Sequence, residues 1–381
     1  MIRVLHLITG LGSGGAEAAL FKLIVNMDRA RFENHVLSLG DEGVWGPRIK
    51  KEGIPVVALH IGLHDLGITG LMRLIRALQR FRPHIVQTWM YHANLVGLVV
   101  GRLIGVPALV WNLRCADMDM KRYSHLSRLV RWLGAWLSPF PQVIVVNSEA
   151  GRKYHEKVLG YRSQRWKMIG NGFDTNIFRP DPSARARIRA ELGLTEGHLI
   201  IGMVARFDPM KDHDTFLTSA AVLRQKHDNV RFVLVGRDVD ERNSMLCEKI
   251  CALGLAQSVL LLGERHDIAN LDAALDVATL VSGFGEGFPN AVGEAMSCGV
   301  PCVVSDVGDC AAVVGDTGRV IPRCDTDALV RAWEDIIGLG IEGRRELGAL
   351  ARSRIEQRFS IETMAKSYEA MYVGIANGAG C

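Results

Sequence analysis

The feature that most constrains this chain is an alternation that occurs twice: short, nearly continuous apolar runs, each followed by a longer stretch of helical period. The first series comprises RVLHLIT (3–9), NHVLSLG (34–40), PVVALHI (55–61), HIVQTW (84–89), ALVWNL (108–113), QVIVVNS (142–148) and WKMIGNG (166–172). Helical patterns such as GLMRLIRALQRF (70–81) lie between them. Strands covered on both faces read as unbroken apolar runs, and parallel strands need long crossovers between them. One doubly wound parallel sheet is predicted. After NGFDTNIFRPDPS (171–183), a linker rich in Pro, Asn and Asp, the pattern restarts with LIIGMVAR (199–206), VRFVLVG (230–236), SVLLLG (258–263), VATLVSG (277–283) and PCVVSDVG (301–308).

The chain therefore reads as α/β, with two Rossmann-like doubly wound domains facing each other across a cleft. The first is expected over 1–178 and the second over 179–361, with a last helix in 361–378 crossing back so that 362–381 pack on the first. A length of 381 residues suffices for two cores. The 48% hydrophobic and 23% charged content excludes disorder and coiled coil. A net charge of +4 makes no case for nucleic acid as a partner. The opening MIRVLHLIT has one charge and too short an apolar stretch for a secretory signal, and no apolar window of about 18 residues occurs. A cytoplasmic location is expected. Cys247/Cys251 and Cys298/Cys302 lack a companion His spacing, so reduced thiols rather than a zinc site are expected.

ITGLGSGGAE (8–17) follows the first strand and contains Gly10-x-Gly12-x-x-Gly15, the spelling of a dinucleotide fingerprint. Such loops let backbone N–H groups approach a phosphate at a helix N-terminus. Asp41 or Glu42, the acids available for ribose hydroxyls, come later than the usual spacing of about 20 residues. Two readings stay open: a phosphate cradle, or a tight strand-to-helix turn.

SGFGEGFPNAVGEAMSCGVP (282–301) carries more information. Glu286 lies in a Gly/Pro turn, and Glu294 follows on a helix expected to begin near Pro289. Were the whole interval helical, the carboxylates would lie roughly 12 Å apart along the axis, a span suited to two ends of one extended ligand. The glycines and helix N-terminus between them could receive a pyrophosphate, with Glu294 on ribose and Glu286 on a sugar. The plain alternative is a solvated helix with two unrelated glutamates.

This string, together with GGAE (14–17), NGFDTNIFRP (171–180) and ARFDPMKDHDTF (205–216), resembles glycosyltransferase family 4, and the resemblance runs through nearly the whole chain in order. It implies a retaining glycosyltransferase of the GT-B fold (glycosyl transferases group 1, hexosyltransferase type). It assigns Arg206 and Lys211 to the charge on a departing nucleoside diphosphate, Glu286 to the sugar, and His92 to orientation of the donor sugar. Gly14, Gly15, Gly287, Phe288, Asn290 and Glu294 are implied as donor contacts. Asn171 and Gly172 are expected to shape the cleft. The mechanism implied is front-face attack by the acceptor hydroxyl, with the departing phosphate taking its proton. Alanine at Lys211 or Glu286 is expected to abolish transfer and leave the fold intact.

The donor implied is a UDP-sugar, with GDP behind it, and the acceptor a glycan or lipid-linked glycan in cell-surface polysaccharide synthesis. Asp117-x-Asp119 and Asp238-x-Asp240 match a metal motif of another glycosyltransferase fold by three residues each, and no metal or other cofactor is expected. In 120–140, Lys121, Arg122, Arg128 and Arg131 accompany Trp132, Trp136 and Phe140 without an acid, which suits the inner face of an anionic membrane or, alternatively, a packed helix with a solvated basic face. The competing readings are an NAD(P)-dependent oxidoreductase using the first glycine loop, which leaves the second-half residues without a role, and a catalytically silent sugar-binding or scaffold protein.

Overall fold

A computed structural model describes residues 1–61, 68–116 and 124–378. The chain divides into two compact units, Met1–Gly172 with Ile361–Cys381, and Phe173–Ser360.

In the first unit seven strands form one sheet: β1 (Ile2–Ile8), β2 (Phe32–Ser38), β3 (Val56–Ala58), β4 (Ile85–Trp89), β5 (Ala108–Leu113), β6 (Val143–Val146) and β7 (Trp166–Met168). Their order is β3-β2-β1-β4-β5-β6-β7 and every pairing is parallel. The second unit has β8 (Leu199–Val204), β9 (Val230–Val235), β10 (Val259–Leu261), β11 (Val277–Leu280), β12 (Cys302–Ser305) and β13 (Arg319–Ile321) in the order β10-β9-β8-β11-β12-β13, again parallel. Each apolar run marks a strand, most of them shortened at the carboxyl end, while β1 and β2 begin one and two residues before their runs. The edge strand β13 had no apolar run to signal it, because its three residues begin with Arg319.

The helix Ile361–Ala376 belongs to the first unit. Its buried residues Ile361, Met364, Ala365, Tyr368, Met371 and Tyr372 recur at helical spacing and share a core with Val4, Leu20, Leu23, Ile85 and Trp89. Two tyrosines tie it to strand polar groups: Asn112 donates to the Tyr368 hydroxyl at 2.8 Å, and Tyr372 donates to Gln87 Oε1 at 2.5 Å. Among the described residues no helix is long and apolar enough to cross a membrane.

The division falls after Gly172 rather than after 178 because Phe173 packs in the second core. Its ring is fully buried, its N–H donates to the Phe359 carbonyl at 2.8 Å, and Gly293 lies directly against it. A Cβ at Gly293 would sit 2.0 Å from Phe173 Cζ. The helix Asn290–Ser297 is held at this depth by that missing methyl. Gly293→Ala should therefore destabilise the second unit by roughly 1–3 kcal/mol through overpacking. Urea unfolding of Gly293→Ala, with and without Phe173→Leu to open space, checks this; partial recovery in the double variant is expected.

Candidate active site

In the second sheet the strand order reverses between β8 and β11, the place where open α/β sheets bind ligands at the carboxyl ends of their strands. The two loops leaving those strands carry Arg206, Lys211 and Glu286. Asp208 organises the first loop: its side chain accepts the Met210 N–H at 2.9 Å and pairs with Arg206 Nε at 3.3 Å. A single 3-10 turn, Pro209–Lys211, follows. Asp212 then adopts a left-handed conformation (φ 51°) and caps the helix His213–Lys226, accepting from the Thr215 N–H at 3.1 Å and the Thr215 hydroxyl at 2.6 Å. The reversal brings the two loops together, and Gly283 N–H donates to the Met210 carbonyl at 2.9 Å.

Lys211 Nζ consequently meets Glu286 Oε1 in a charge-assisted hydrogen bond, and the same oxygen accepts the Ser282 hydroxyl at 2.6 Å. The side chains are 13% and 8% exposed, so the pair is largely withdrawn from water, whereas Arg206 is 44% exposed. Two glycines fix the backbone around this pair. Gly308 (φ 63°) faces the Glu286 carbonyl so closely that a Cβ would lie 2.2 Å from it. Behind Arg206, a Cβ at Gly236 would lie 2.2 Å from the Ala205 carbonyl oxygen. Asp309 N–H donates to the Gly287 carbonyl at 3.0 Å, and Ser305 Oγ donates to the Ser282 carbonyl at 2.7 Å. Sequence reasoning missed Ser282, Asp208, Gly236 and Gly308, although the glycine of SDVGD is a local sign of a left-handed turn.

Only Asn290–Ser297 is helical in the acidic string, so the helical spacing assumed between the carboxylates does not apply to Glu286. Pro289 occupies the N-cap and supplies no side-chain acceptor, which leaves the positive end of the helix uncapped by its own cap residue. Asn290 is exposed at the first helical position and Glu294 is half-buried one turn on. The Phe288 ring packs in the core at 6.1 Å from Phe173 and 5.6 Å from Phe359, which leaves its backbone rather than its ring for a donor contact.

On the first unit, Gly14 caps the helix Gly15–Asn26, and both Gly14 and Gly15 are exposed. Gly10, Gly12 and Gly15 have neither left-handed φ nor any atom within 4 Å of a built Cβ. A dinucleotide fingerprint needs its third glycine for close helix–strand packing, which Gly15 does not make. Glu42 is engaged with Lys50 at 2.5 Å. His92 lies half-buried on the helix Met90–Leu103, and burial lowers its pKa, so the ring is neutral at pH 7. Met90 opens that helix at φ 70°, and the Asn94 amide beside it, oriented with its NH2 group toward the Thr88 and Met90 carbonyls, would donate to them at 3.2 and 3.1 Å.

Asp117 and Asp119 lie outside the described residues. Asp240 is occupied by Arg242 at 2.6 Å and Asp238 by Arg237 at 3.8 Å. Among the described residues no group of three or more His, Cys, Asp or Glu is placed to hold a metal. Cys298 and Cys302 are free and buried, and burial pushes both thiols up.

Burial of the Lys211–Glu286 pair revises the expectation for alanine there, since either change strands a charge. Lys211→Ala should lose about 3 kcal/mol or more in urea unfolding, and Lys211→Met with Glu286→Gln should recover most of it. Acid adds a second effect. His6, His155 and His213 are buried with pKa values lowered to about 4 by burial, and neither ring nitrogen of His213 has a partner. The unfolded chain binds protons first, so this stability is complete above pH 6.5 and falls as pH drops toward 4, by up to about 3 kcal/mol per ring. Unfolding midpoints at pH 7.5 and 4.5, compared with those of His213→Asn, check the sign.

The family described as Glycosyltransferase Family 4 matches residues 13–177, and that described as Glycosyl transferases group 1 matches 184–354. The chain is 26% identical over 329 residues to the UDP-Gal:alpha-D-GlcNAc-diphosphoundecaprenol alpha-1,3-galactosyltransferase of Escherichia coli, covering 84% of this chain and 82% of that protein. It is 26% identical to the D-inositol 3-phosphate glycosyltransferase of Segniliparus rotundus (strain ATCC BAA-972), over 81% of this chain and 70% of that one. Among solved structures, Anabaena Alr3699/HepE in complex with UDP superposes with a TM-score of 0.83 at 24% identity, covering 98% of this chain and 100% of that one.

Proposed function

The chain belongs to glycosyltransferase family 4, the glycosyl transferases group 1, with the GT-B fold, and we propose that it moves a hexosyl group from a nucleotide diphosphate sugar, with retention, onto a phosphate-bearing, lipid-linked glycan. The observation that carries this reading is the Lys211–Glu286 contact at the switch point of the second sheet, with Arg206 on the same loop as Lys211.

Both Lys211 and Ser282 fall on Glu286 Oε1, which leaves Oε2 for a hydroxyl of the donor sugar. An ammonium group has three donors, so Lys211 keeps N–H groups for a phosphate while it neutralises Glu286. Arg206, Lys211 and the N-terminus of Asn290–Ser297 then supply positive potential where the departing diphosphate gains charge. Glu294 takes the ribose hydroxyls. By the family resemblance, His92 and the Gly14–Gly15 turn are the first unit's candidates for contact with the donor sugar. No protein nucleophile is required when the leaving phosphate accepts the acceptor's proton, and the reading needs no metal. Phosphate-bearing acceptors named for two of the relatives support the choice of acceptor, and the undecaprenol-linked one supports a role in cell-surface polysaccharide synthesis.

The membrane contact expected of 120–140 gains support from part of that stretch only. On the helix His125–Leu137, Trp132 and Trp136 are 65% and 62% exposed, with Leu129 and Phe140 beside them. Arg131 is a correction: it is buried, donating to the Tyr154 hydroxyl at 2.8 Å with its guanidinium over the Tyr91 and Tyr154 rings, and so presents no charge to a bilayer. Lys121 and Arg122 lie outside the described residues. Met90–Leu103 packs on this helix and adds Arg102, Ile68–Phe81 packs on Met90–Leu103 in turn and carries Arg73, Arg76 and Arg80, and none of the three helices contains an acid.

Calorimetric titration with UDP, GDP and NAD in separate runs tests the donor reading: saturable binding of UDP is expected, unchanged by EDTA, and binding of NAD alone would sink it. Arg206→Ala should lower kcat by about 100-fold or more. In flotation, anionic vesicles should carry the protein, and Trp132→Ser with Trp136→Ser should leave it at the bottom; equal flotation of both proteins argues against contact through this helix.

A further inference from the structure

Arg189, 2% exposed, pairs with Asp276 at 3.3 Å and Glu196 at 3.4 Å. Arg114 differs. It follows β5 directly, at the carboxyl edge of the first sheet, and is partly buried, with no ion pair to any carboxylate among the described residues. Its contacts are the Asn171 Oδ1, the Tyr368 hydroxyl at 3.4 Å and the face of Trp89 at 5.6 Å. Burial lowers its pKa, and Tyr368 is the one neighbour that raises it. A guanidinium withdrawn from water without an anion is costly unless a ligand supplies one. Arg131 lies over two aromatic faces, with its Nε and Nη1 unpartnered, whereas Arg114 lies over one.

A second observation lies beside it. Asn147, 5% exposed, follows β6 and donates to the same Asn171 oxygen at 3.3 Å, while its own Oδ1 has no donor. At these strand ends a guanidinium without a carboxylate among the described residues thus lies in one cluster with two buried amide oxygens that lack donors, Asn147 Oδ1 and Asn112 Oδ1. A sugar phosphate carries both complements on adjacent atoms. Tyr368, on the helix that closes this unit, holds Asn112 and Arg114 together and keeps the group in place.

We propose that Arg114, with Asn147 and Asn171, binds a phosphoryl group of the acceptor glycan at the carboxyl edge of β5 and β6, a site separate from the donor diphosphate contacts on the second unit. The phosphoryl oxygens meet the Arg114 guanidinium, and a neighbouring sugar hydroxyl donates to Asn147. This deepens the acceptor reading given above and rests on it. Either a lipid diphosphate or a soluble sugar phosphate carries this chemistry.

The experiment is calorimetry on the full chain saturated with UDP, titrated with glucose 6-phosphate, farnesyl diphosphate, inorganic phosphate and, as a control, glucose. At least one phosphorylated probe should bind, glucose should not, and the tighter of glucose 6-phosphate and farnesyl diphosphate names the source. Arg114→Gln should weaken that binding by about tenfold or more and Arg114→Lys by less, with UDP affinity unchanged in both. Should Arg114→Gln fail to fold by near-ultraviolet circular dichroism, Asn147→Asp, which sets a negative charge beside the site, should weaken the same probes. Equal affinity in wild type and variants, or no phosphate binding to protein that binds UDP normally, overturns the proposal. Failure of UDP itself overturns the donor reading instead, and the phosphate titrations without UDP still decide the Arg114 site.

Discussion

Parallel pairing is the constraint on which the rest depends. Because every strand in both sheets runs the same way, all carboxyl ends within each sheet share one edge. Loops leaving those ends are neighbours in space however far apart they lie in the chain. Lys211 and Glu286 meet for this reason, and so do Arg114, Asn147 and Asn171. The amphipathic helices that link the strands cover both faces and confine polar chemistry to the edge.

Glycine has two distinct uses around these edges. Gly236, Gly293 and Gly308 are places where backbone or an aromatic ring comes too close for a side chain, and each sets the height of a neighbouring segment by direct contact. A side chain at Gly10, Gly12 or Gly15 would begin in open space, with nothing within 4 Å of its Cβ. The first group builds the site; the second lies in the loop after β1, at the switch point between β1 and β4. An identical residue type thus has opposite physical meanings, which a motif spelling does not separate.

Charge follows the same division. In the second unit the buried cations are neutralised by carboxylates, as in Lys211–Glu286 and Arg189–Asp276, and such pairs demand that both partners be kept. The first unit holds Arg131 against tyrosine faces and, among the described residues, gives Arg114 only neutral partners. Neutral partners stabilise a guanidinium less than a carboxylate does and leave its charge available. That availability is what an anionic substrate requires of a binding residue.

Much of the fold was legible because the period of apolar residues is a local property: each strand or helix was written in residues adjacent in the chain, as in ALVWNL for β5 and the 361–378 segment for the last helix. The motifs of both halves, from GGAE (14–17) to the 282–301 string, likewise carry the family resemblance in their order along the chain. What the sequence left undecided were contacts between distant residues. Arg131 carries a charge on an amphipathic helix and reads as solvated, yet tertiary packing turned it onto Tyr91 and Tyr154. Phe288 sits inside a ligand-like string, but its ring went to the core between Phe173 and Phe359. Lys211 and Glu286 lie 75 residues apart, and Asn112 and Tyr368 lie 256 apart. Sequence by itself determined two parallel α/β units and the chemistry available at their edges, since periodicity and residue type need no partner; only the tertiary structure decided which charges are paired, buried or left for a ligand, because those states are set by neighbours that the chain order does not name.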